Sequence, residues 1–149
     1  MAYSTILVPI DGSATANRGL QEAIRLARTT GARLSILNVI DARLLVTQVS
    51  EHASPKALLA AWTADGQRLV DEATATAREQ GVTAEGAVHY DPGLRICDQI
   101  LGEQECVGAQ LIVMGTHGRS GLRRVALGSE AELVLRASAV PVLLVRTSD

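Results

Sequence analysis

The chain has 149 residues, of which 47% are hydrophobic and 20% are charged, and its formal net charge at pH 7 is −2. This composition is typical of one globular domain and excludes a disordered chain. With 2% aromatic residues and no basic excess, it lacks the stacking and charge that nucleic-acid binding needs. No apolar run approaches the roughly 20 residues of a membrane span. We therefore expect a soluble, cytoplasmic protein with no nucleic-acid or membrane partner.

The first half of the chain alternates strand-like and helical segments. Thr5–Ile10 is a continuous, β-branched run, which is typical of a strand buried on both faces. A helical repeat follows and ends at Gly31, and Leu34–Ile40 is a second buried strand. A long helix is predicted from Ser54 to near residue 81. The connection Asp41–Ser54 is predicted to be irregular.

The second half repeats this alternation. Val82–Tyr90 alternates less regularly, which indicates a third strand nearer an edge of the sheet. A third helix is predicted around Ile96–Leu101, a fourth, buried strand at Leu111–Met114 and a last strand at Val140–Val145. Between these last two strands a short helix is predicted, with one apolar face made of Ala131, Val134, Leu135 and Ser138.

Five strands that alternate with four helices predict an α/β fold. We expect a single, doubly wound, five-stranded parallel sheet of the Rossmann-like kind, with strand order 3-2-1-4-5 and helices on both faces. In such a sheet ligands bind outside the carboxyl ends of the strands, where the strand order reverses. Because the reversal falls between the first and fourth strands, functional residues should follow Ile10 and Met114.

The two cysteines, Cys97 and Cys106, fall nine residues apart on the predicted third helix. This separation places them on opposite faces and too far apart for a disulfide. We expect two reduced, mostly buried thiols.

A glycine-rich segment follows the fourth strand, with the spacing Gly, two residues, Gly, nine residues, Gly-Ser. Its glycines are Gly115, Gly118 and Gly128, and Gly128-Ser129 opens the next predicted helix. Glycine lets backbone N–H groups approach a polyanion closely, and a helix N-terminus favours phosphate. A purely structural loop in which Ser129 caps the helix would explain the same residues. Taken alone, the glycines leave both interpretations open.

Three segments together resemble the universal stress protein family, and in particular its ATP-binding branch. They are the glycine segment, Val8-Pro9-Ile10-Asp11-Gly12-Ser13 at the end of the first strand, and Val140-Pro141-Val142-Leu143-Leu144-Val145 in the last strand. The resemblance covers essentially the whole chain and implies one universal stress protein domain over residues 1–149. It implies a nucleotide-dependent stress-response or signalling protein that binds ATP with Mg²⁺. It also implies a homodimer through the last strand, whose apolar edge a monomer would leave exposed.

The resemblance further implies which residues surround the nucleotide. Those expected to hold the nucleoside are Pro9, Ile10, Asp11, Val39 and Met114. Those expected to approach the ribose and phosphates are Gly115, Gly118, Gly128, Ser129 and the N–H of Glu130. Asp11 would accept a hydrogen bond from a ribose hydroxyl, and Val39 would meet the adenine through its backbone.

Several of these residues also have a purely structural interpretation. Asp11 can be a turn or N-cap residue, and Val39 and Met114 can be ordinary core residues. His117 is either loop scaffold or a phosphate donor, and Arg119 either steers anions or lies on a solvated loop face. The three histidines fall in unrelated segments and no base–nucleophile pair is evident, so we expect neither a catalytic residue nor a metal cluster.

Glu130 departs from the family pattern, which usually has an aliphatic residue at this position. A carboxylate in the first helical turn favours the helix dipole but opposes a phosphate. At roughly 6–8 Å in a wet site the repulsion is about 0.5–1 kcal/mol per phosphate charge. ATP binding should then be weakened several-fold but not prevented, unless Glu130 turns outward or reaches Mg²⁺.

Two other functions remain open from the sequence. Related α/β enzymes that adenylylate substrates need a Ser-Gly-Gly type of loop after the first strand, whereas this chain has Asp11-Gly12-Ser13-Ala14. A P-loop ending in Gly-Lys-Ser or Gly-Lys-Thr is also absent from the sequence, so at most slow ATP hydrolysis is expected. The other alternative is a dimeric stress protein that binds no nucleotide, against which the intact glycine spacing argues.

Overall fold

A parallel, five-stranded sheet with the order β3-β2-β1-β4-β5 forms the centre of the protein. The computed structural model describes residues 3–49, 54–117 and 127–147. The strands are β1 (Thr5–Pro9), β2 (Arg33–Val39), β3 (Ala84–His89), β4 (Leu111–Gly115) and β5 (Val142–Val145). The predicted fold class and strand order are confirmed, and so is the edge position of the third strand.

The described residues contain five helices, one more than predicted. They are α1 (Ala14–Thr30), α2 (Ala42–Gln48), α3 (Pro55–Glu79), α4 (Ile96–Val107) and α5 (Ser129–Ala137). The prediction of an irregular connection after β2 is wrong, because α2 occupies its first part. Asp41 caps this helix by accepting a hydrogen bond from the Arg43 N–H at 2.9 Å, and buried Leu45 anchors it.

Helices cover both faces of the sheet, as predicted. Successive strand residues point to opposite faces, so each buried strand supplies two separate hydrophobic clusters. Ile6 of β1 packs with residues of α1 and α3 on one face, while the adjacent Leu7 packs with residues of α4 and α5 on the other. No helix in the described parts of the chain is long and apolar enough to cross a membrane.

The ends of the elements differ slightly from the predicted ones. Helix α1 ends as expected at Gly31, whose φ of 78° is left-handed and whose N–H bonds the Ala27 carbonyl at 2.8 Å. Strand β5 begins at Val142, two residues later than predicted. Pro141 precedes it and contributes only its carbonyl, which accepts from the Ile112 N–H at 3.0 Å.

Two predictions about side chains are wrong, and helical geometry explains both. Helix α5 packs through Ala131 and Val134, and Leu135, one position further round the helix, is exposed. Cys97 is buried, but Cys106 is exposed, because nine residues of helix turn it to the opposite face. Both cysteines are free thiols, as expected.

Candidate functional site

A cleft opens at the carboxyl ends of β1, β2 and β4, next to the first turns of α1, α4 and α5. About 720 Å³ of empty space lies within it, part of which is open to solvent. Its position is the point where the strand order reverses, between β1 and β4. The cleft is therefore where a doubly wound sheet is expected to bind a ligand.

The structure brings the predicted site residues of the described segments together around this cleft. Those that line it are Pro9, Ile10, Asp11, Val39, Met114, Gly115, His117, Gly128, Ser129 and Glu130. Gly118 and Arg119, also predicted for the site, lie outside the described residues. The role of each residue toward a nucleotide stays a prediction.

On the β1 side, Asp11 forms the turn that leads into α1. Its Oδ1 accepts a hydrogen bond from the Ser13 N–H at 2.9 Å, and Ser13 Oγ accepts from the Ala16 N–H at 3.2 Å and caps the helix. The structural interpretation of Asp11 as a turn residue therefore holds. The same turn places Asp11 on the wall of the cleft, so the two roles do not exclude each other.

On the β4 side, the chain passes very close to the start of α1. A Cβ atom on Gly115 would lie 2.7 Å from the Thr15 carbonyl carbon and 2.9 Å from the Ala16 nitrogen. Glycine is therefore required here by packing, whatever ligand the cleft holds. The Thr15 hydroxyl donates a hydrogen bond to the His117 carbonyl, which ties the segment after β4 to α1.

The N-terminus of α5 closes the same end of the cleft. Gly128, not Ser129, is the N-cap residue, and no side chain caps this helix within the described residues. The Gly128 N–H donates to the Thr116 carbonyl at 2.6 Å, and a Cβ on Gly128 would lie 2.8 Å from that oxygen. With φ −58° and ψ 147°, Gly128 is needed for this close approach and not for a left-handed conformation. The first helical N–H groups, which have no partner within a helix, lie beside the cleft.

Two buried polar atoms of the cleft have no hydrogen-bond partner among the described residues. They are the Thr116 hydroxyl oxygen and one carboxylate oxygen, Oε1, of Glu130. The other oxygen, Glu130 Oε2, lies 3.7 Å from Arg43 Nη2 of α2. With 26% of its side chain exposed, Glu130 does not turn outward into solvent.

Two ionisable groups at the start of α4, Arg95 and Cys97, lie close enough to Glu130 for its charge to raise their pKa values. The pKa of Arg95 is raised mainly by its hydrogen bond to Asp98 and by the negative charge of Asp98. The charge of Glu130 adds a smaller increase. The same hydrogen bond from Arg95 lowers the pKa of Asp98. Burial raises the pKa of the neighbouring Cys97 thiol. Arg95 is thus already paired, with Nε 2.9 Å from Asp98 Oδ2.

Sequence reasoning missed several lining residues. They are Ala16, Leu37, Ile96, Ile100, Thr116 and Ala131. Thr116 lies inside the glycine motif, between the predicted site residues Gly115 and His117, but was not itself predicted to line the site. Ile96 and Ile100 are one helical turn apart, but their periodicity cannot tell a wall of the cleft from the core. The described residues hold no group of three or more His, Cys, Asp or Glu side chains placed to bind a metal ion.

Comparison with known proteins gives one consistent result. The family model described as the universal stress protein family matches residues 2–146. Universal stress protein YxiE of Bacillus subtilis is 34% identical over 151 residues, which cover 97% of this chain and 99% of that protein. A solved universal stress protein family structure from Burkholderia pseudomallei is 32% identical, with a TM-score of 0.78 and 96% of both chains covered.

A third relative was solved with a ligand. This universal stress protein in complex with cAMP is 26% identical to the chain, with a TM-score of 0.72, and the match covers 99% of this chain and all of that one. The family match extends over nearly the full length of the chain, and the solved relatives have the same fold. The predicted resemblance to the universal stress protein family is therefore confirmed. The chain belongs to the universal stress protein family.

Proposed function

We propose that this universal stress protein binds ATP in the cleft between β1 and β4 and acts as a nucleotide-dependent stress-response or signalling protein. The observation that carries the proposal is the pair of buried, unpartnered atoms, Thr116 Oγ and Glu130 Oε1, beside the uncapped start of α5. Buried polar atoms without partners are rare in native proteins, and a helix N-terminus favours phosphate. The Thr116 hydroxyl and the helix N-terminus favour a polar, anionic ligand, whereas the Glu130 carboxylate only accepts and favours a hydrogen-bond donor or a cation that accompanies this ligand.

The remaining lining suits the nucleoside end of such a ligand. Pro9, Ile10 and Val39 offer apolar surface on the β1 and β2 side, and Met114 adds apolar surface from β4. Asp11 offers a carboxylate for a ribose hydroxyl. The relative solved with cAMP supports an adenine nucleotide as the ligand class. ATP would then lie with its base toward β2 and its phosphates toward α5.

We also propose that Mg²⁺ accompanies the ATP. Asp11 and Glu130 are the acidic residues of the described lining, and they would face a polyanion. Mg²⁺ binds phosphate oxygens together with few protein carboxylates, and its charge would offset this repulsion. Phosphate oxygens and waters would supply most of its ligands.

We further propose that the protein forms a homodimer through β5 and that it acts in the cytoplasm. Strand β5 lies at the edge of the sheet, and Leu143 in its middle is exposed. An apolar edge strand with unpaired backbone groups is a natural site for pairing with a second copy of the same chain.

The test uses two isosteric Thr→Val variants. Thr116→Val removes the hydroxyl from the cleft, and Thr74→Val removes another buried, unpartnered hydroxyl from α3, outside the cleft. If Thr116 Oγ bonds the nucleotide, Thr116→Val weakens ATP binding by about 0.5–1.5 kcal/mol, roughly two- to tenfold. Thr74→Val leaves the affinity unchanged.

Calorimetric titration with ATP measures both affinities, and thermal unfolding without nucleotide checks that both variants are folded. Neither variant should be less stable than the wild type, because the hydroxyl that is removed has no partner in the free protein. Equal ATP affinity in the wild type and Thr116→Val would remove the observation on which the proposal depends.

A further inference from the structure

We propose that Arg43 neutralises Glu130 at the mouth of the cleft and thereby admits the phosphate tail of the nucleotide. This inference rests on the proposed binding of ATP and names the pair of residues that tunes it. Arg43 belongs to α2, the helix that sequence reasoning missed, and Glu130 is the residue that departs from the family pattern.

The geometry joins the two halves of the sheet. Arg43 follows β2, which pairs with β1 on one side of the strand reversal, while Glu130 begins the helix that follows β4 on the other side. Arg43 Nη2 lies 3.7 Å from Glu130 Oε2, and Arg43 Nε lies 3.6 Å from Asp41 Oδ1. One guanidinium group therefore contacts the Asp41 carboxylate at the cap of its own helix and the Glu130 carboxylate on the other side of the strand reversal.

Stability alone does not account for this pair. The Arg43 side chain is 76% exposed, and an ion pair at such a surface contributes little to folding free energy. The pair matters for the charge of the cleft, because the described lining contains two acidic residues, Asp11 and Glu130, and neither lysine nor arginine. Arg43 brings a positive charge next to the carboxylate nearest the helix N-terminus.

A second basic residue near the cleft is already engaged. Arg95 at the start of α4 donates to both Asp98 oxygens, at 2.9 and 3.2 Å. Among the described residues, Arg43 is the basic side chain that forms an ion pair with Glu130. Without Arg43, the described residues would leave the Glu130 carboxylate with no ion-pair partner beside the phosphates.

The inference predicts an effect that depends on phosphate charge. Arg43→Gln should weaken ATP binding roughly three- to tenfold and leave adenosine binding within about twofold, because adenosine carries no phosphate. Glu130→Gln should tighten ATP modestly in the wild type. In the Arg43→Gln background it should restore the affinity, because the uncompensated charge is then absent.

The chain offers a matched control pair on α5. Arg136 Nη2 lies 3.0 Å from Glu132 Oε1, the Arg136 side chain is 75% exposed, and Glu132 shares the first turn of the helix with Glu130. Arg136→Gln and Glu132→Gln make the same charge changes away from the cleft lining. Both should leave ATP affinity within about twofold of the wild type.

Calorimetric titration of ATP and adenosine into the wild type, the four single variants and Arg43→Gln/Glu130→Gln decides the matter. Equal weakening of ATP and adenosine by Arg43→Gln would mean a structural role for Arg43 and overturn the inference. A double variant that stays as weak as Arg43→Gln would show that Arg43 binds the phosphates directly and does not act through Glu130. If the wild type binds no ATP, the proposed function fails first and the inference falls with it.

Discussion

Gly115 and Gly128 illustrate how a glycine motif serves folding and binding together. The sequence predicted them as points where the backbone approaches phosphate. In the structure a Cβ at either position would collide with neighbouring backbone, that of α1 for Gly115 and the Thr116 carbonyl for Gly128. A bulky substitution at either glycine would therefore disturb the protein itself. Thr116→Val is the cleaner probe of binding.

The two thiols should differ sharply in reactivity. Cys97 is buried and its pKa is raised, first by that burial, so it stays protonated and shielded at neutral pH. Cys106 is exposed on the opposite face of α4. We expect an aromatic disulfide reagent to modify one thiol per native chain rapidly and the second only on unfolding.

Substitutions identify the reactive thiol. Cys106→Ser should abolish the rapid reaction, and Cys97→Ser should retain it. Two rapid equivalents in the native wild type, or a rapid reaction that survives Cys106→Ser, would mean that α4 is packed differently.

Helix α3 packs closely on strand β3 at Gly86. A Cβ on Gly86 of β3 would overlap Val70 Cγ1 and lie 3.2 Å from Thr74 Oγ1, both on α3. We expect Gly86→Ala to destabilise the protein by about 1–3 kcal/mol through overpacking. Denaturant unfolding measures the change.

Gly102 on α4 supplies the matched control for this substitution. Nothing lies within 4 Å of a Cβ built there, and its position is helical. Gly102→Ala should therefore stabilise the protein by about 0.5–1 kcal/mol through helix propensity. Equal effects of the two substitutions would contradict the packing of α3 on β3.

Helix α2 shows where prediction from the sequence ends. Long elements such as α1 were predictable because apolar residues repeat over several turns and Gly31 marks the end. Helix α2 has seven residues and one buried side chain, Leu45, so it carries no periodic signal. Its only sign is the N-cap Asp41. Missing α2 also meant missing Arg43, and with it the ion pair that reaches Glu130.

The sheet as a unit explains why so much of the site was nevertheless predictable. Continuous apolar strands require a parallel sheet with two covered faces, and this sheet has one reversal of strand order. Asp11 follows β1 and Gly115 ends β4, on the two sides of this reversal, so they had to meet. The unpartnered state of Thr116 Oγ, by contrast, depends on three-dimensional packing that spacing along the chain does not encode.

The exposed edge at β5 makes the oligomeric state testable. We expect light scattering to give twice the chain mass of 15.7 kDa at micromolar concentration. Leu143→Lys should shift the protein toward monomer, because a charge at the centre of a paired edge opposes pairing. Leu94→Lys adds the same charge to an exposed leucine beyond β3, the other edge of the sheet, and should leave the dimer intact. A monomeric wild type would refute the proposed dimer.

Binding of an adenine nucleotide at the strand reversal is the central claim, and calorimetric titration of the wild-type protein tests it most directly. Mg²⁺-ATP should bind saturably at one site per chain, and GTP and tripolyphosphate should bind more weakly because they lack the adenine that the apolar wall near Val39 accommodates. The absence of saturable ATP binding at millimolar concentration, or equal binding of tripolyphosphate and ATP, would contradict the account.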